Sequence, residues 1–120
     1  MEKPLILICD NELGVRESLK LILEQDYALA FMENGEEAVH YVKAHDPDLM
    51  IMDVKMPKMS GLEALEEIKR LKPSIPVLMI TGYESSDVAA QAVKLGAAAY
   101  VTKPFDRQKV LDHVRGLLKR

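Results

Sequence analysis

The sequence has little of several features that would place it in a specialised class. A single cysteine, Cys9, excludes an internal disulfide, and its place in an apolar run predicts a core residue. No apolar run is long enough to cross a bilayer, so no membrane association is expected. A net charge of −3 argues against direct binding of nucleic acid. The lack of a glycine-rich phosphate loop argues against a nucleotide-dependent enzyme.

What is present is typical of one small soluble domain. The chain has 120 residues, of which 48% are hydrophobic and 29% charged. This length predicts a single domain over residues 1–120. Met1 to Pro4 lead directly into an apolar run without a charged leader or cleavage site, which predicts a cytoplasmic protein.

Apolar runs alternate with segments of helical periodicity along the whole chain. Continuous apolar runs predict strands buried on both faces, and two weaker runs predict less central strands. The predicted strands are Leu5 to Cys9, Tyr27 to Met32, Leu49 to Met52, Val77 to Ile80 and Ala97 to Val101. Between and after them, apolar residues spaced by three and four predict five helices. Their apolar positions begin at Val15, Ala38, Leu62, Val88 and Val110.

Five strand–helix units in sequence predict an α/β fold. Right-handed crossovers place helices on both faces of a parallel sheet. For five strands we expect the doubly wound, flavodoxin-like order 2-1-3-4-5, with the switch point between strands 1 and 3. Helix ends are also marked, since Ser60 with Glu63 has the spacing of a capping box, Asn34 resembles one, Asp106 can cap the last helix and Gly96 can close the fourth.

Polar residues follow four of the predicted strands within one or two positions. Asp10-Asn11-Glu12, Asp53, Thr81 and Lys103-Pro104 occupy these places. Because the carboxyl ends of parallel strands meet at one edge of the sheet, we expect these side chains to lie together. Clustered carboxylates need a cation nearby, and an ammonium complements phosphate oxygens.

The acidic residues predict a site for Mg²⁺ or another divalent cation. Magnesium takes six oxygen ligands but only one or two carboxylates, the rest being carbonyls and water. We expect the Asp53 side chain and the backbone carbonyl of Lys55 to coordinate directly, with Asp10 or Glu12 acting directly or through water. Any one of these carboxylates alone is equally typical of a helix cap.

The chain resembles the receiver domains of bacterial two-component response regulators over nearly its whole length, from Leu5 to Leu118. The matching stretches are Leu7 to Glu12, Asp48 to Gly61, Ile80 to Gly82, Gly96-Ala97 and Tyr100 to Phe105. The resemblance implies that Asp53 accepts a phosphoryl group from a phosphohistidine of a sensor histidine kinase or phosphotransfer protein, and that Mg²⁺ is required. It implies a signalling phosphoacceptor that assists its own phosphorylation and dephosphorylation, and not otherwise an enzyme.

The resemblance also assigns roles around Asp53. Lys103 pairs with its carboxylate and later with phosphoryl oxygens, through a Lys103–Pro104 peptide bond that is cis in the family. The Thr81 hydroxyl binds a phosphoryl oxygen and is coupled to the rotamer of Tyr100 on strand 5. The surface formed by helix 4, strand 5 and helix 5 then switches, and it is the expected face of a phosphorylation-dependent homodimer.

One position departs from the family pattern. Asn11 stands where a second aspartate usually ligates the metal, which predicts weaker Mg²⁺ binding, with Glu12 compensating. The alternative function is a receiver-like interaction module that works without phosphorylation. A third candidate function is a hydrolase with an aspartyl-phosphate intermediate. It is disfavoured because Lys55 stands two positions after Asp53, where such an enzyme would need an acid-base group. We further expect Lys55 and Tyr83 to shield the acyl phosphate from water.

Overall fold

The structure is a computed structural model that describes residues 2–82 and 86–119, and strands alternate with helices throughout. The strands are β1 (Leu5–Cys9), β2 (Ala28–Met32), β3 (Leu49–Met52), β4 (Val77–Thr81) and β5 (Ala99–Thr102). The helices are α1 (Leu13–Leu23), α2 (Gly35–Ala44), α3 (Gly61–Leu71), α4 (Ser86–Lys94) and α5 (Arg107–Leu118). None of the described helices is both long and apolar enough to span a bilayer.

All strand pairs are parallel, and the sheet order is β2-β1-β3-β4-β5. The predicted doubly wound fold is therefore confirmed. Since β1 pairs with both β2 and β3, the direction in which successive strands are added to the sheet reverses at β1, and this places a crevice at its carboxyl end, between the loops after β1 and β3. Asp10 and Asp53 immediately follow these two strands.

Alternate residues of the central strands feed two separate core layers. Leu7, Cys9 and Met50 face the layer that α2, α3 and α4 cover, whereas Ile6 and Ile8 face the layer that α1 and α5 cover. Burial raises the pKa of the Cys9 thiol to about 12, and the nearby Asp10 charge adds to the effect. The prediction that Cys9 is a core residue is confirmed, since it is 1% exposed.

Two strands begin later than predicted because their first residues complete the preceding helix. Ala97 was expected in strand 5, but its amide donates to the Ala92 carbonyl while the Gly96 amide donates to Val93. This pair of bonds is a Schellman motif, and Gly96 has the positive φ of 108° that it requires. Tyr27, expected in strand 2, likewise donates its amide to Leu23 at the end of α1.

Within residues 2–82 and 86–119, side-chain caps fix where three helices start. Ser60 and Glu63 form the predicted capping box at α3, and Asp106 accepts from the Lys109 amide at α5. Asn34 accepts from the Glu37 amide at α2, but the Glu37 side chain accepts from Glu33 rather than from Asn34, so the box is incomplete. These caps anchor α2, α3 and α5 at the edge of the sheet that carries Asp53.

Candidate functional site

The Lys103 amine lies among three carboxylates at the carboxyl edge of the sheet. Its Nζ is 2.9 Å from Asp10 Oδ2, 2.9 Å from Asp53 Oδ2 and 3.1 Å from Glu12 Oε1. Residues separated by 50 or more positions therefore meet at one point. The Lys103 side chain is only 15% exposed, so its ion pairs with Asp10 and Asp53 are largely shielded from water.

Asp53 is held in place by both its backbone and its carboxylate. Its amide donates to the Cys9 carbonyl at 3.1 Å, which ties the end of β3 to the end of β1. Oδ1 accepts from the Val54 amide at 2.7 Å, so Oδ2 is directed to Lys103. The residue is 5% exposed, and its carboxylate is thus a fixed oxygen nucleophile in a nearly dry position.

Asp10 and Glu12 reach the same point by different routes. Asp10 is buried, and its Oδ1 accepts from the Glu12 amide at 2.9 Å, which orients the loop after β1. Glu12 occupies the N-cap position of α1 but makes no side-chain capping bond there. Its carboxylate contacts Lys103 instead, although it is 62% exposed. The capping explanation for this carboxylate therefore does not apply.

Burial and ion pairing shift the pKa values of two of these groups, Asp10 and Lys103. Burial raises the pKa of the Asp10 carboxyl, and the hydrogen bonds from the Glu12 amide and Lys103 offset only part of that effect. Burial alone would lower the pKa of Lys103, but hydrogen bonds to Asp53 and Asp10 outweigh it and raise the pKa above its usual value. Lys103 consequently remains a full positive charge at neutral pH.

The donor set fits a hard divalent cation. Asp10, Glu12 and Asp53 each offer a carboxylate oxygen, and these atoms lie within 4.8 Å of one another. Within residues 2–82 and 86–119, no other group of three acidic, histidine or cysteine side chains meets this condition. Oxygen-only ligands of this kind are those that Mg²⁺ prefers. Asn11 and Lys55 are exposed and line one groove beside Val54, so they border the cluster without closing it.

The other predicted site residues follow β4 and β5. Thr81 ends β4, is 1% exposed, and its carbonyl accepts from the Lys103 amide at 2.8 Å. The Lys103–Pro104 peptide bond is cis. Tyr100 is a half-buried residue of β5 that packs against the layer under α4. Tyr83 lies outside the described residues.

One charged residue at the site was not predicted. Arg16 of α1 donates from Nη1 to the backbone carbonyl of Asp10 at 2.7 Å. It places a second cation beside the acidic cluster and helps to fix the loop after β1. Only its position six residues after Asp10, on the second turn of α1, hinted at this contact, and helical periodicity alone assigns it to the surface.

Comparison with known proteins places this geometry in a family. The response regulator receiver domain family matches residues 6–115. The chain is 40% identical over 119 residues to the chemotaxis protein CheY of Halobacterium salinarum, and the match covers 98% of each. It is also 40% identical over 106 residues to the transcriptional regulatory protein ZraR of Klebsiella oxytoca, covering 88% of this chain but 24% of that protein.

The fold also matches that of solved structures. A chain of the CheX–CheY–BeF3–Mg²⁺ complex from Borrelia burgdorferi superimposes with a TM-score of 0.94 at 28% identity, covering 99% of this chain and 92% of that one. The family match spans most of the chain, and the halobacterial relative aligns from end to end. The protein therefore belongs to the receiver domain family of two-component response regulators.

Proposed function

We propose that Asp53 accepts a phosphoryl group from a phosphohistidine of a sensor histidine kinase or phosphotransfer protein, with Mg²⁺ bound by the acidic cluster. Receiver domains are signalling phosphoacceptors and are not generally classed as enzymes. The observation that carries the proposal is the convergence of Asp10, Glu12 and Asp53 on Lys103 at 2.9–3.1 Å. We further propose that residues 1–120 form one receiver domain.

The transfer asks for a positioned oxygen and for charge neutralisation. A carboxylate oxygen of Asp53 forms the new bond to phosphorus while the bond from phosphorus to the donor imidazole nitrogen breaks, and that nitrogen keeps the electron pair. Lys103, fixed between Asp53 and Asp10, offsets the negative charge on the phosphoryl oxygens. The burial of Asp53 limits the access of water to the acyl phosphate.

The metal would be held by Asp10, Glu12 and Asp53, with Asn11 and the Lys55 carbonyl as further oxygen donors. When bound, Mg²⁺ supplies Lewis-acid stabilisation of the transferring group. The donor chemistry of the cluster supports this assignment. So does the related CheY of Borrelia burgdorferi, whose complex contains BeF3 and Mg²⁺.

The signal would leave the site through Thr81 and Tyr100. Thr81 is buried at the end of β4, where its hydroxyl would bind a phosphoryl oxygen. Tyr100 lies on the neighbouring strand, and its rotamer would change when the Thr81 hydroxyl binds the phosphoryl oxygen. The α4–β5–α5 face is then the surface that changes, and the proposed contact of a phosphorylation-dependent homodimer.

The donor's approach is suggested by a groove next to the site. It runs between α1 and the loop after β5, and it shares Glu12 and Lys103 with the acidic cluster. The rest of its lining is mostly small or apolar, and Leu13 beside it is 64% exposed. A helix of the partner lying there would bring its phosphohistidine to Asp53.

The deciding experiment is incubation with acetyl phosphate and MgCl₂ followed by intact-mass spectrometry. We expect a labile phosphoryl adduct on the wild type and on the control variant Asp46→Asn. In the wild type, the Asp46 carboxylate is exposed and pairs with Lys72 away from the site. We expect no adduct on Asp53→Asn. If the wild type takes no adduct, the protein acts without phosphorylation, whereas rapid multiple turnover would indicate a hydrolase.

Asn11 is the observation that favours the phosphorylation-independent module, and it carries a prediction of its own. Replacing Asn11 with Asp adds one negative charge beside the cluster, worth about 1–2 kcal/mol near a surface, so the Kd for Mg²⁺ should fall by about tenfold. Glu12→Gln should weaken binding. A Mg²⁺ titration followed by amide chemical shifts measures both, and an unchanged midpoint for Asn11→Asp would contradict the assignment.

A further inference from the structure

We propose that Gly35, the first residue of α2, is a positioning residue for the metal and phosphoryl site. It contributes no side chain and no ligand. It acts by holding the loop between β3 and α3, residues 53–60, which carries the Lys55 carbonyl. The inference rests on the proposed function, because it concerns the ligands of that same site.

The contact between Gly35 and this loop leaves no room for a side chain. The Gly35 amide donates to the Met59 carbonyl at 3.1 Å. A Cβ added to Gly35 would overlap that carbonyl oxygen and lie 3.0 Å from its carbon. The obstacle is backbone, so either α2 or the loop must move to admit even a methyl group.

The loop is held at two more points. At its start, the Val54 carbonyl accepts from the Gly61 amide at 2.7 Å. At Met56, the sulfur lies 3.4 Å from Cys9 Sγ, which also contacts the Asn34 carbonyl at 3.2 Å. Lys55 stands between Val54 and Met56 in this loop. Its carbonyl is therefore positioned by contacts on both sides, one made with the start of α2 directly and another that reaches it through Cys9.

Displacement of the loop should lower the affinity for Mg²⁺ more than it lowers the stability of the fold. A ligand-bearing segment must be held to within a fraction of an ångström, and loss of an outer contact that orients a ligand costs about 10–100-fold in metal affinity. In the part of the chain that the structure describes, none of the hydrogen bonds that hold the Asp10, Glu12 and Asp53 carboxylates involves Gly35. The residual site should thus still bind Mg²⁺ at higher concentration.

The test compares Gly35→Ala with Gly116→Ala, since a Cβ on Gly116 in α5 would meet nothing within 4 Å. For Gly35→Ala we expect a Kd for Mg²⁺ about tenfold weaker by amide-shift titration, and a phosphorylation rate that recovers to within about twofold of wild type at saturating MgCl₂. Gly116→Ala should have the same Kd for Mg²⁺ and the same phosphorylation rate as the wild type. An unchanged Kd, or a rate that saturating MgCl₂ does not restore, would overturn the proposal.

A measurement on the wild type covers the case in which Gly35→Ala does not fold. Coupling between metal and loop is reciprocal, so MgCl₂ should slow hydrogen exchange of the Gly35 amide, with no change at the Gly116 amide. Equal exchange of the Gly35 amide with and without metal would reject the role of Gly35. Mg²⁺ binding does not require phosphoryl transfer, so failure of the acetyl phosphate experiment would reject the proposed function and leave this test standing.

Discussion

Replacing Lys103 with methionine is expected to destabilise the protein by about 3 kcal/mol without divalent cations, because removing one partner of a buried ion pair typically costs 3–5 kcal/mol. The variant leaves the buried Asp10 and Asp53 carboxylates, 3% and 5% exposed, facing each other and Glu12 without the Lys103 ammonium between them. Chemical unfolding in EDTA measures this loss. The matched control is Lys109→Met, an exposed lysine on α5.

The same variant should bind Mg²⁺ more tightly than the wild type. The Lys103 ammonium repels a second cation from the carboxylates that it contacts, and its removal lifts that repulsion. Mg²⁺ should therefore restore more stability to Lys103→Met than to the wild type, while phosphorylation stays impaired. A variant as stable as the wild type in EDTA, or one with weaker Mg²⁺ binding, would show that Lys103 does not hold the carboxylates together.

Strand positions could be predicted from sequence because buried parallel strands are continuously apolar. β1 and β3 begin and end as predicted, and the strand-end rule correctly indicated which polar residues lie at one edge. Their functional roles remain predictions. The start of β5 was predicted too early, since Ala97 belongs to the same apolar run and is kept out of the strand by the hydrogen bond that it donates to Ala92.

The supporting contacts of the site were also beyond sequence. The Arg16 guanidinium reaches a backbone carbonyl, and Gly35 touches the backbone of Met59, 24 positions away. Neither contact involves paired side chains, so charge and hydrophobic patterns carry no trace of it. Only the packing of α1 and α2 against the strand-end loops creates them.

Gly61→Ala is expected to have the largest effect on the loop between β3 and α3, which begins with Asp53. A Cβ at Gly61 would overlap the Asp53 carbonyl oxygen, lying 2.8 Å from the carbonyl carbon and 2.9 Å from Val54 Cα. These atoms belong to the backbone of the phosphoacceptor itself, so the clash cannot be relieved by a side-chain rotation. Overpacking of this kind costs about 1–3 kcal/mol and occasionally more, and we expect about 3 kcal/mol by urea unfolding.

Phosphorylation should fall at least about tenfold in Gly61→Ala even at saturating MgCl₂, because the nucleophile and not only a metal ligand is displaced. This distinguishes it from Gly35→Ala, whose rate should recover with metal. Gly116→Ala is the control, because a Cβ added there would meet nothing outside its own helix within 4 Å, and it should gain up to about 1 kcal/mol of stability from helix propensity. A Gly61→Ala protein with wild-type stability and wild-type phosphorylation would mean that the loop after β3 adapts freely, and that its tight contacts do not position Asp53.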